Sequence, residues 1–186
     1  MKTRVRYERI GGGFLLLAMG VVFALLLRRS FAVPSQPTIQ SAARPKSGSE
    51  LVLVFIGAST CGACQSPEVA RALRAIAKDV RTRAAMEGSG FATEGITTDT
   101  DLERGIRFLS DMHMFDEIVA GRGWLNSGAM RWIWTSGGRA AEPQVILVRR
   151  DLDVQREGIT LKSEEVVERV VGSFDLIDRA HTDQAR

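Results

Sequence analysis

The chain has 186 residues, of which 45% are apolar and 25% charged. That composition fits one globular domain and excludes a wholly disordered chain. Two cysteines are too few for a disulfide scaffold or a four-cysteine zinc site. The net charge of +3 is unevenly placed: residues 1–50 carry eight Lys or Arg against two Asp or Glu, and residues 51–186 carry seventeen against twenty. The body of the protein is mildly acidic, so no basic face for nucleic acid is implied.

Residues 1–9 form a basic arm containing Lys2, Arg4, Arg6 and Arg9. Ile10 to Leu27 is then a run of uncharged, mostly apolar residues. As a helix it would be about 27 Å long, close to the hydrocarbon thickness of a bilayer. Arg28 and Arg29 follow. The heavier basic flank lies before the run, so the expected orientation has the N-terminus in the cytoplasm and the rest exported. An uncleaved anchor is expected over 10–27 rather than a signal peptide. The run exceeds the usual length of a signal core, and Arg28-Arg29 occupies the place of a small-residue cleavage site. Residues 28–50 hold Pro34, Pro37 and Pro45 with several serines and no apolar periodicity, which predicts a linker.

Leu51-Val52-Leu53-Val54-Phe55-Ile56 predicts a strand buried on both faces, ending at Gly57. Cys61-Gly62-Ala63-Cys64 follows at once. Val69, Leu73, Ile76 and Val80 then recur on one helix face. A second strand is expected near Ser89–Thr97. Thr100-Asp101-Leu102-Glu103 reads as a capping box for a helix burying Leu102, Ile106 and Leu109. Phe115–Ala120 reads as a short strand, and Asn126–Trp134 as a short helix. Pro143 immediately precedes the apolar strand Gln144–Val148. Arg149–Asp153 is expected to turn, with Val154–Thr160 as the returning strand. Ser163, with Glu164 and Glu165 behind it, predicts a last helix with Val166, Val167, Val170, Val171 and Phe174 as its stripe. Helices alternating with strands imply an α/β fold with a central mixed sheet covered on both faces.

A Cys-x-x-Cys between a buried strand and a helix has a mechanical reading. The first cysteine lies near unpaired helix N–H groups that favour its thiolate, and the second is about one turn away, where it can attack a mixed disulfide. A zinc site would need two more ligands at ligand spacing, and His113 and His181 do not supply them. A purely structural disulfide across so small a loop stabilises little.

These residues together resemble the thioredoxin-fold family: the strand Leu51–Ile56 leading into Cys61-Gly62-Ala63-Cys64, Pro143 before the strand Gln144–Val148, and a closing hairpin plus helix. The resemblance covers roughly residues 50–180, and with the N-terminal anchor it extends to membrane-tethered thioredoxin-like proteins of the bacterial envelope. It implies a thioredoxin-like domain over 51–180, a tail over 181–186, and thiol-disulfide exchange with a protein partner, with no cofactor and no resident metal. Cys61 and Cys64 would be the catalytic pair, with Cys61 attacking and Cys64 resolving. Pro143 would be a cis proline, and Pro143, Glu142 and Thr60 would line the substrate side. The soluble domain would lie on the periplasmic side of the inner membrane, beside a membrane partner that donates or accepts electrons.

The sequence departs from the family pattern at four places. Thr60 stands where a tryptophan usually precedes the first cysteine. The buried aspartate of thioredoxins falls on Phe55. Glu142 puts a carboxylate before the proline, where it would oppose a thiolate or serve as an acid/base. Ser66-Pro67-Glu68 is a helix start in its own right, which would distance Cys61 from the helix dipole. Two other readings stay open at this point. One is a binding or assembly module with little redox activity that uses Trp124, Trp132 and Trp134 with Arg122 and Arg131. The other is a copper-handling module joining the cysteines to a His or Met.

Overall fold

The computed structural model describes residues 46–184. The predicted arm, the anchor over 10–27 and nearly all of the linker lie outside them, as does the end of the tail. Among the described residues no helix is long and apolar enough to cross a membrane.

Five strands form one sheet in the order β3-β2-β1-β4-β5. Strand β1 (Gly48–Gly57) runs parallel to β2 (Gly90–Thr97), and β2 runs parallel to β3 (Glu117–Val119). Strand β4 (Gln144–Gln155) is antiparallel to β1 and to β5 (Gly158–Val171). The sheet is therefore mixed, with β1 at its centre.

The alternation of side chains along β1 sends its residues to two separate cores. Leu51, Leu53 and Phe55 pack with Val69, Leu73, Ile76 and Val80 of helix α1 (Pro67–Glu87). Leu176 and Ala180 of helix α4 (Ser173–Gln184) join the same core. Val52, Val54 and Ile56 pack on the other face with Ile96, Ile146 and Val148, under Trp132 and Ile133. Burial on both faces explains the unbroken apolar run in β1. Helix α1 follows the predicted stripe, is capped by the Ser66 hydroxyl accepting from Val69 N–H, and stops at Gly88. Gly88 has φ of 67°, a left-handed conformation that glycine adopts without strain.

Helix α2 (Leu102–Ser110) corrects two expectations. Its cap is Asp101, whose carboxylate accepts from Arg104 N–H, rather than Thr100. Of the three expected apolar contacts only Leu109 is buried, while Leu102 and Ile106 are exposed. The helix instead approaches the sheet through Gly105, which lies against Thr97 and Asp99. The predicted helix at 126–134 is present as a short turn, α3 (Ser127–Ala129), that widens into a π-helical turn over Met130–Thr135.

The C-terminal hairpin corrects the largest expectation. No turn interrupts Arg149–Asp153, because β4 continues to Gln155 and reverses at Arg156-Glu157. The segment after Ser163 is strand rather than helix: Val166 pairs with Val148, and Val170 with Val145. A valine-rich run suits a pleated surface better than a helix, because branching at Cβ restricts side-chain freedom in the helix. Register shifts at Leu147/Val148 and Asp151/Leu152 keep the long hairpin in step despite its mixed pattern. The last helix begins instead at Ser173.

Two experiments test this packing. Phe55→Ala, at a fully buried central position, is expected to cost about 3–5 kcal/mol in urea unfolding, whereas Met86→Ala, 78% exposed, changes stability by less than about 0.5 kcal/mol. The second concerns Glu94, buried on β2 and in register with Glu117 of β3. Burial, reinforced by the Glu117 charge, raises its carboxyl above the ordinary value. An acid raised in the folded state costs stability once pH exceeds the unfolded value. Glu94→Gln should therefore unfold at higher urea than the parent at neutral pH, and the gap should close as pH falls below the ordinary carboxylate range.

Candidate functional site

The site forms where β1 and β2 end side by side. Parallel strands leave such ends open, and loops there are the usual place for chemistry. The backbone N–H of Thr98 donates to Gly57 O at 3.0 Å, which joins the two strand ends. Gly57 must be glycine for space: a Cβ there would lie 2.7 Å from the Phe55 ring and 3.3 Å from Cys64 Sγ. The chain then turns through Ala58–Ser66, carrying both cysteines, before α1 begins at Pro67.

Cys61 and Cys64 are joined by a disulfide, with their Cα atoms 5.2 Å apart. Cys61 is half-buried, while Cys64 is 1% exposed. Helix α1 starts after both cysteines, at the expected Ser66-Pro67-Glu68 start, so its N-terminus is set apart from Cys61. The local turn supplies the donor instead: Cys64 N–H donates to Cys61 Sγ at 3.1 Å. A backbone donor aimed at that sulfur favours its thiolate once the bond is reduced.

Asp99 lies two residues beyond the end of β2. Its carboxylate accepts from Ser59 N–H at 2.8 Å, from Ser59 Oγ at 2.7 Å and from Thr97 Oγ1 at 2.7 Å. Asp99 is 5% exposed and ties the start of the cysteine loop to the end of β2. Desolvation raises its pKa, but the Ser59 and Thr97 hydrogen bonds outweigh it and hold the carboxyl below its ordinary value. Asp99 and Thr98 are the site residues that sequence reasoning missed. The available signal was Thr97-Thr98-Asp99, three polar residues closing a buried strand beside the strand that leads to the cysteines.

The second wall is the segment before β4. The Glu142–Pro143 peptide bond is cis. Pro143 is buried, its carbonyl accepts from Gly172 N–H at 2.8 Å, and the Glu142 carboxylate accepts from the Thr98 hydroxyl. Gln144, fully buried, donates to Arg139 O at 3.0 Å and accepts from Arg169 at 3.2 Å, which fixes the segment against β5. A Glu142 carboxylate oxygen and the two cysteine sulfurs all lie within 4.8 Å of one another. Thr60 is exposed in the turn just before Cys61. Phe55 is stacked on Phe115 at 5.9 Å and offers no proton-handling group.

Cys61, Cys64 and Glu142 have the donor types of a metal site, but sulfurs bonded to each other present no thiolate to an ion. His113 is exposed beside Arg74, Lys78 and Met114 and is not part of that group. Of the tryptophans, Trp132 is core and Trp124 packs against it, while the half-exposed Trp134 donates to Trp124 O at 2.8 Å. Arg131 lies over the Trp132 ring at 4.6 Å and pairs with Glu164.

The mixed sheet, the Cys-Gly-Ala-Cys loop after its central strand and the cis proline before β4 are the features expected of a thioredoxin-like fold. Three solved structures are similar to the chain. One is the thioredoxin domain of a thiol-disulfide oxidoreductase from Bacteroides vulgatus, at 18% identity over 72% of this chain and 78% of that one, TM-score 0.40. A thiol:disulfide interchange protein from Bacteroides sp. matches at 18% identity over 73% and 72%, TM-score 0.40. One from Chlorobium tepidum TLS, a thioredoxin family protein, matches at 13% identity over 78% and 98%, TM-score 0.38. No family model and no curated protein matches the chain.

Asp99→Ala should lower stability at neutral pH by about 1–3 kcal/mol, because it strands buried donors on Ser59 and Thr97. A carboxyl lowered in the folded state stabilises above its unfolded pKa, and that contribution is lost as pH falls through the folded value. The urea midpoints of parent and variant should therefore converge in acid below the ordinary aspartate range.

Proposed function

We propose that the chain is a membrane-anchored thiol-disulfide oxidoreductase whose thioredoxin-like domain acts outside the cytoplasm on a protein partner. The observation that carries this reading is the asymmetry of the cysteine pair: Cys61 is half-buried and accepts a backbone N–H, while Cys64 is sealed behind it. That is the arrangement for one attacking thiolate and one resolving thiol. In the reducing direction the Cys61 thiolate attacks a partner disulfide, forms a mixed disulfide and expels one partner thiolate. Cys64 then attacks Cys61 Sγ, expels the second partner thiolate and closes the Cys61–Cys64 bond. Two electrons pass to the partner, and a membrane donor restores the dithiol. In the oxidising direction the same steps run backwards towards a membrane acceptor.

Pro143 and the backbone of Glu142 are the platform for an extended stretch of substrate, paired edge to edge as in strand addition. Thr60, exposed in the turn before Cys61, is a further candidate for substrate contact. The basic flanks of the apolar run 10–27 support the anchor and an inner-membrane, extracytoplasmic placement.

The test uses the full chain in detergent. Cys64→Ser should accumulate a mixed disulfide between Cys61 and a partner protein, seen on a non-reducing gel and released by dithiothreitol. Cys61→Ser should trap nothing. Equal trapping by the two variants, or trapping by neither, would contradict the assignment.

A further inference from the structure

We propose that Glu142 handles the proton of this couple: its carboxylate takes the Cys64 thiol proton during resolution and passes it to the departing partner thiolate. The inference rests on the exchange reading above. Cys64 is 1% exposed, and a Cβ on Gly57 would lie 3.3 Å from its Sγ. A thiol in apolar surroundings resists ionisation, so its attack needs a base within reach. Phe55 supplies none. Asp99 is spent on three hydrogen bonds to Ser59 and Thr97.

Glu142 is differently placed. One of its oxygens lies within 4.8 Å of both sulfurs, close enough for a small rotation of a reduced Cys64 to make the contact. Thr98 Oγ1 donates to Oε2, and a carboxylate accepts about four hydrogen bonds, so capacity remains for an S–H. Thr98 is 9% exposed, fixed between the strand ends by its N–H bond to Gly57 O, and so acts as a positioning residue. Arg169 of β5 is held by Gln144 and the Trp132 carbonyl, and Arg139 is exposed on the loop before Glu142.

The step balances. With Cys61 in a mixed disulfide, the Cys64 S–H proton passes to the Glu142 carboxylate. The freed sulfur pair attacks Cys61 Sγ, the Cys61–partner S–S bond breaks, and the departing partner thiolate takes the proton from the Glu142 carboxylic acid. The carboxylate is regenerated, and no further reactant is needed.

The experiment is rapid mixing of the reduced full chain in detergent with limiting dithiobis(nitrobenzoate), whose thiolate product is coloured. The first phase reports attack by Cys61, and the second reports resolution by Cys64. Glu142→Gln keeps an acceptor for Thr98 but cannot take a proton. It should slow the second phase at least about 10-fold, with the first phase unchanged or faster, because the removed charge opposed the Cys61 thiolate. The second phase should also become steeply dependent on alkali in the variant while staying flatter in the parent. Glu142→Asp should restore part of the rate and the flatter profile. Thr98→Val should slow the second phase by a smaller factor, and it carries the test if Glu142→Gln does not fold. Equal second phases with parallel pH profiles in parent and Glu142→Gln would overturn the proposal. Absence of a second phase in the parent, with Cys64 left as a free thiol, would overturn the exchange reading itself.

Discussion

Strand β1 is hydrogen-bonded along both edges, to β2 and to β4, and covered on both faces by separate cores. That double burial leaves the chain emerging from Gly57 a single exit, at the end of the sheet beside Thr97. The position of the cysteines follows from it. The loop's start is tied to Asp99, its turns are closed by their own backbone hydrogen bonds, and its end runs into the capped helix α1. Cys61 is half-buried and Cys64 is 1% exposed, beside the glycine that ends β1.

Two carboxylates at this end of the sheet do different work because of what surrounds them. Asp99 accepts three hydrogen bonds, which hold its carboxyl below the ordinary value and make it a structural tie. Glu142 takes one hydroxyl donor and lies beside the sulfurs. Its chain segment is held firmly, by Gln144 to the preceding loop and by Gly172 to the end of β5. A proton-handling group must be both near its thiol and held in place, and the pairing with Thr98 links it to the strand end that positions the cysteines.

Much of this was legible in the sequence where one physical signal dominated. The unbroken apolar run of β1 could only be a doubly buried strand, and the stripe of α1 with Ser66-Pro67 at its head gave both face and start. The Cys-Gly-Ala-Cys and Pro143 landmarks followed from their strands. The reading failed where two patterns competed. The valines after Ser163 fit a helical stripe as well as a strand, and a strand partner far away in sequence, β4, decided between them. Leu102 and Ile106 looked like core residues, but α2 meets the sheet through Gly105, which carries no hydrophobic signal. Asp99 and Thr98 were missed because their partners, Ser59 and Glu142, lie about forty residues away, and only tertiary structure brings them together.

The central claim is that Cys61 and Cys64 form one reversible two-electron couple. Its most direct test is an equilibrium titration of the full chain in glutathione or dithiothreitol buffers, with free thiols trapped at each poise. The account predicts that both cysteines titrate together in a single reversible transition, between about −270 mV, the range of thioredoxin-like reductants, and about −120 mV, the range of strong oxidants. Two thiols that react independently, or no reversible intramolecular disulfide at any poise, would contradict it.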